Sequence, residues 1–240
     1  MFHLSVPQMV CDEVARQGLG DWEKFLFGDR PGRVRTAEGY GIEGFRGLAA
    51  AAGADVLVMP SWFLDGRPAG AAVRGTLRAA HDDGATVVGL CLGAIPVADA
   101  GLLAGRMAVT HWQAFDLLAQ RHPELALDES VLHLDHVDVL TSAGTASGLD
   151  ACLHLVRSRL GSDAANRVAR SLVIAPHRAG GQAQYIERRL LETTDRPIDT
   201  IAAACGIGSP VTLRQNFSAA FRTSPSQYRA RFRAEAAGAE

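Results

Sequence analysis

The sequence predicts an α/β protein: a doubly wound, mostly parallel sheet followed by a small all-α domain. Two observations predict the sheet. Short apolar runs at 54–60 and 85–91 lack the alternation of a half-exposed strand, as expected for strands buried on both faces. They alternate with stretches of helical period, the pattern that lays helices on both sides of a parallel sheet. A third observation predicts the appended domain: between Ile198 and Phe221 two helical stripes meet at Gly206 with no strand-like run between them.

Ala54-Asp-Val-Leu-Val-Met-Pro60 reads as the first buried strand, ended by a proline that cannot continue a ladder. Residues 68–83 carry a helical period closed by Gly84. Ala85-Thr-Val-Val-Gly-Leu-Cys91 is the second buried strand, Ile95 to Leu103 a helix, and Met107-Ala-Val-Thr-His111 another short strand. Leu132 to Thr141 reads as two strand pieces around a polar turn, and Thr145 to Leu160 as a helix. Periodicity lapses over Arg178–Gln184, which marks the linker. The organisation expected is a first domain at 1–180, a linker at 181–187 and a helical domain at 188–234. In the last, Ile198, Ile201, Ala202 and Cys205 form one apolar stripe, and Gly206 supplies a left-handed stop. Ser209-Pro210 is an N-cap followed by proline at the first helical position. Leu213, Phe217 and Phe221 then form a buried face, leaving Val211, Thr212, Gln215 and Arg222 outward. No internal repeat or low-complexity segment is visible.

Composition is that of an ordinary globular protein, 48% apolar with a formal net charge of −2. The charge becomes informative once split. Between Gly206 and Ala234 there are five arginines (214, 222, 229, 231 and 233) and no acidic residue. Cys11, Cys91, Cys152 and Cys205 form no CxxC pair and no metal-ligand spacing, so they read as reduced thiols of a cytosolic protein. No signal segment and no run approaching eighteen apolar residues is present, which argues against a membrane protein and for a cytoplasmic one. No metal or cofactor is implied.

Two helices joined by a tight glycine turn, the second with a polar outward face, make a helix-turn-helix. Working as one, the second helix would enter the major groove of double-stranded DNA and read base edges with its N-terminal residues. The arginines would neutralise phosphates whatever the sequence. The candidate contact set is Ser209, Pro210, Val211, Thr212, Arg214, Gln215, Arg222, Ser224, Tyr228 and Arg229. The competing reading is a helical bundle with a solvated basic face.

Gly89-Leu-Cys91-Leu-Gly93-Ala94 is the sharpest chemical candidate in the first domain. A strand running through small residues into a helix puts the turn residue in a strained, exposed position, as in a nucleophile elbow. The helix N-terminus behind it would favour a thiolate. His111 is the nearest candidate partner. Against this stand a cysteine that is only a small core residue and a histidine that is only structural. The glycine-rich turn Ala143–Gly148, with Asp150 and Arg170, reads as a strand-to-helix closure, since no phosphate motif of the right spacing is present.

The helical segment resembles the second helix-turn-helix of the AraC family of bacterial regulators. The matching residues are Ile201-Ala-x-x-Cys-Gly206, the serine that opens the reading helix, Phe217, Phe221 and Ser224-Pro-Ser-x-Tyr-Arg229, within roughly 188–234. Residues 54–184 resemble the DJ-1/PfpI, class I glutamine-amidotransferase-like domain. That likeness rests on the stretches Cys91–Arg106, Val109-Thr-His-Trp112, Leu140–Asp150 and Val168–Gln184. It implies a first domain that senses a small-molecule effector and forms a homodimer rather than turning over substrate. Cys91 matches the elbow cysteine and His111 the histidine of the Thr-His-Trp motif. The carboxylate that usually accompanies the cysteine falls, counted back from Pro7, on His3. The family's first central strand would precede Met1, and its first helix-turn-helix is not visible; Glu187–Asp195 reads as the end of the helix that would join the two. The alternatives are a Cys91-dependent enzyme acting on an isonitrile or a reactive carbonyl, and a truncated regulator that dimerises without holding DNA tightly.

Overall fold

A computed structural model describes residues 2–174 except 37, 64 and 130, together with 191, 194–204, 207 and 209–237. It divides into two compact units, Met1–Asp128 with Leu132–Arg178, and Glu129–Val131 with Ala179–Glu240. The expected linker at 181–187 and the expected stop at Gly206 lie outside the described residues.

The first unit opens with α1 (Phe2–Arg16), then three short strands, β1 (Phe27–Gly28), β2 (Gly32–Arg35) and β3 (Gly41–Gly47), which form a small sheet in the order β1-β3-β2. The main sheet holds β4 (Val56–Met59) and β5 (Thr86–Leu90), separated by α2 (Ala71–Asp82). After β5 come α3 (Ala94–Asp99), β6 (Met107–Ala108), α4 (Phe115–Arg121) and β7 (Ala126–Leu127). The main sheet is completed by β8 (His133–Asp135) and β9 (Val139–Ser142), and α5 (Thr145–Ser171) follows. Its strand order is β4-β5-β9-β8. β4, β5 and β9 run parallel and β8 is antiparallel to β9 at one edge.

Side-chain alternation along these strands makes two cores. Leu57, Val87 and Val139 face α2 and α3, where they bury Leu77, Ile95 and Leu103. Val88, Leu90 and Leu140 face the other way, onto Val6, Val10 and Val14 of α1 and Ala151, Val156, Ala165 and Val168 of α5. With both faces covered, an uninterrupted apolar strand is what burial demands.

The differences from expectation have local causes. β6 stops at Ala108 because the next two residues bond elsewhere. Val109 N–H donates to Thr141 Oγ1 (3.2 Å) and the Thr110 hydroxyl to the Cys91 carbonyl (2.9 Å). α3 ends at Asp99, whose carboxylate is spent on tertiary bonds. Its side chain is 5% exposed and accepts from Ala69 N–H (2.7 Å) and His122 Nε2 (2.9 Å). α5 runs past Leu160 to Ser171, broken at Gly161 (φ 88°, ψ 168°).

The second unit contains α6 (Ile198–Ala204), α7 (Pro210–Phe221) and α8 (Pro225–Ala237). Its core is Leu191, Ile201, Ala202, Leu213 and Phe217, with Ile198, Phe221 and Tyr228 packed against it.

Candidate functional site

Two places carry candidate function, one in each unit. In the first, β5 delivers Cys91 into a single 3-10 turn, Cys91–Gly93, before α3 begins. Cys91 has φ 56°, the left-handed region that L side chains avoid. The flanking glycines make the turn possible. A Cβ on Gly93 would stand 2.0 Å from the Met59 carbonyl oxygen, and one on Gly89 would stand 2.9 Å from Ala94 backbone atoms. The backbones of β4, β5 and α3 therefore meet here with no space for a side chain. The buried Thr110 hydroxyl, bonded to the Cys91 carbonyl, pins the turn from the other side.

Cys91 is strained as expected but neither exposed nor held as a thiolate. Its residue is 3% exposed, and burial pushes the thiol up, opposed only in part by the Leu92 N–H. The helix start behind it does not outweigh the loss of solvent. His3, Pro60, Cys91 and Gly144 line one niche at the C-terminal ends of the parallel strands, with no free space for a water molecule. His111 leans on the same place, since a Cβ on Gly144 would lie 3.3 Å from its Cδ2. Both imidazoles are held below the ordinary histidine value. For His111 the causes are burial and then the charge of His3; for His3 burial leads. His111 Nδ1 accepts the Gln113 N–H at 3.4 Å, leaving Nε2 as the N–H side of the neutral ring. The niche thus joins a protonated thiol and two neutral imidazoles, with His3 where a carboxyl group was expected from the family pattern.

In the second unit, α7 is built as the sequence suggests. Ser209 Oγ accepts the Thr212 N–H at 3.1 Å, and Pro210 takes the first helical position. Leu213 and Phe217 are fully buried, while Val211, Thr212, Arg214, Gln215 and Arg222 are exposed. Arg214 reaches Asp199 only loosely, at 3.9 Å between two exposed side chains, so it stays available. Arg222 closes the helix in the left-handed conformation, φ 54°.

Three of the expected contact residues also have internal duties. Ser224 caps α8: its Oγ accepts the Gln227 N–H (3.2 Å), and Gln227 Oε1 accepts the Ser224 N–H (3.2 Å). Tyr228 packs edge-on against Phe217, centroids 5.4 Å apart. Arg229 donates to the Arg196 carbonyl at 2.7 Å, with its Nε buried. A serine-proline pair looks alike whether its hydroxyl meets solvent or a helix end, so sequence could not separate these roles. The hubs at Asp99 and at Asp138, where Arg106 binds the carboxylate in two places (2.7 and 2.8 Å), were also missed, because their partners lie far apart in the chain.

No family model matches the chain. The HTH-type transcriptional regulator CdhR of Pseudomonas aeruginosa is 29% identical over 143 residues, which is 60% of this chain and 42% of that protein. The chain thus spans less than half the length of that regulator. An isonitrile hydratase of Pseudomonas putida is 33% identical over 90 residues, 38% of each chain. Among solved structures, an AraC family transcriptional regulator from Pseudomonas putida superposes with a TM-score of 0.64 at 21% identity, covering 72% of this chain and 92% of that one. A ThiJ/PfpI family protein from Pseudomonas syringae gives 0.63 at 17%, covering 95% and 85%. The sheet, its two helical layers and the strained cysteine turn make a DJ-1/PfpI-like fold. The chain is similar in sequence to an HTH-type transcriptional regulator and in fold to an AraC family transcriptional regulator.

Proposed function

We propose that the chain regulates transcription by binding double-stranded DNA sequence-specifically through α7. In this reading residues 1–180 bind a small-molecule effector and pair two copies without turnover, and 188–234 form the DNA-reading domain. The observation that carries it is the surface of α7, where a capped helix on a fully buried Leu213 and Phe217 presents Thr212, Arg214 and Gln215 in its first turns. That is where a recognition helix meets base edges. The elbow supports a role without turnover because its thiol is buried and protonated. Fluorescence anisotropy with the DNA upstream of the protein's own operon tests the reading. Among the described residues of the 206–234 stretch, Arg214, Arg222 and Arg231 are exposed, and three phosphate contacts predict an affinity loss of roughly 40-fold per copy between 50 and 200 mM salt. Equal affinity for that DNA and for a scrambled duplex would sink sequence specificity. Gln215→Ala is expected to relax base preference, whereas Arg214→Ala weakens all sequences alike.

A second reading, a cysteine-dependent enzyme, draws on Cys91 at φ 56° on a strand-to-helix turn and on the similarity to an isonitrile hydratase. There His111 would have to take the thiol proton before attack on an isonitrile or reactive carbonyl. Hydratase or glyoxalase turnover that disappears in Cys91→Ala would carry this reading over the first.

A further inference from the structure

Val211 is the large apolar side chain on the outward stripe of α7, and it is 57% exposed. It lies one turn before Arg214 and Gln215, with Ser218 and Arg222 further along the same side, all exposed. It is no member of the unit's apolar cluster, which Leu213 and Phe217 supply from the opposite face. A single surface valine is ordinary. Its place is not, because the first turn of this helix is held rigid by Ser209 and by Pro210. A β-branched side chain there has one strongly preferred rotamer, so its two methyl groups point in a fixed direction. On a helix lying in the major groove, the apolar feature that such a side chain can meet is the 5-methyl group of thymine.

We propose that Val211 is a specificity-determining residue that packs on a thymine methyl group in the recognised DNA, beside polar readout by Gln215. This rests on α7 being the reading helix. It adds a readout that no hydrogen bond supplies, and it makes thymine distinguishable from cytosine at the neighbouring step.

The test uses the full 240-residue chain. Preferred duplexes are selected from a random library. The best is remade with each thymine replaced in turn by deoxyuridine, which keeps the base pair and removes only the methyl group. At one position the replacement should weaken binding roughly fourfold, the effect of exposing about one buried methyl group. Val211→Ala should bind the parent duplex more weakly and show no further loss at that position. Its circular dichroism and melting temperature should match those of the parent protein, since the side chain supports no core. Selection that enriches no sequence removes the DNA reading and this inference with it. Enrichment with no methyl-sensitive thymine, or with a sensitivity that persists in Val211→Ala, overturns the inference alone.

Discussion

Val173 ends α5 where a glycine would be expected. Its N–H bonds to Arg170 O (3.2 Å) and the Ile174 N–H to Ala169 O (3.0 Å), the paired closure of a Schellman end. Gly18 and Gly84 occupy the same place after α1 and α2, yet here a β-branched residue sits at φ 56° and is 91% exposed. A non-glycine residue in that conformation costs about 1–2 kcal/mol, partly offset by the freedom glycine regains on unfolding. Val173→Gly should therefore stabilise the first unit by roughly 0.5–1 kcal/mol, read as a higher urea midpoint with an unchanged slope. An unchanged or lower midpoint would show that the strain is relieved elsewhere. At this scale the sequence was legible for Cys91, whose small neighbours announced a tight turn. It pointed the wrong way on protonation, towards a thiolate, because the burial that keeps the thiol protonated arises from strands and helices that sequence spacing does not bring together.

At the scale of the element, α7 and α8 show how far local signals reach. Ser209-Pro210 announced a helix start, Ser224-Pro225 pointed only to the candidate DNA contact, and both serines cap. Ser209→Ala should cost about 1 kcal/mol of the second unit's stability and, under the proposed DNA reading, weaken a preferred duplex more than a scrambled one, because it frays the turn that carries Val211. Thermal melts together with binding to the two duplexes check this: an unchanged melt would show that the cap contributes nothing, and an equal loss on both duplexes that the first turn carries no readout. Buried strands and the helices over them were legible from apolar runs and period. α1 and the β2–β3 hairpin were not assigned. The hairpin strand Gly32–Arg35 is exposed throughout and so carries no burial pattern to read. α1 runs through Pro7, which disguises its period.

For the whole molecule, titration follows from which groups the fold removes from water. His3 and His111 have folded-state values below that of the unfolded chain, so below about pH 6.5 the unfolded state binds more protons. Their contribution is complete above that pH and is lost as the pH falls through it. Asp138 behaves as a depressed carboxylate, held down first by Arg106, and its contribution fades only in the far more acidic carboxylate range. The melting temperature of the first unit should therefore drop between pH 7.5 and 5, and His111→Gln should flatten that drop. A flat profile in the parent protein would contradict burial of the two imidazoles. The fold class was legible because layering is a pattern of many residues. The charged ties that lock it, such as Arg106 to Asp138 across the chain, involve single residues with no recurring spacing.

The turn at Cys91 separates what the fold needs from what chemistry needs. Gly89 and Gly93 are fixed by backbone atoms of neighbouring strands and helix, whereas the sulfur of Cys91 makes no bond on which the sheet depends. A saturation library over 89–93 should tolerate almost nothing at the two glycines and accept small side chains at the cysteine. The shape of the elbow is thus set by backbone contacts that a substitution at the cysteine leaves in place, so the sulfur can be exchanged without unfolding the sheet.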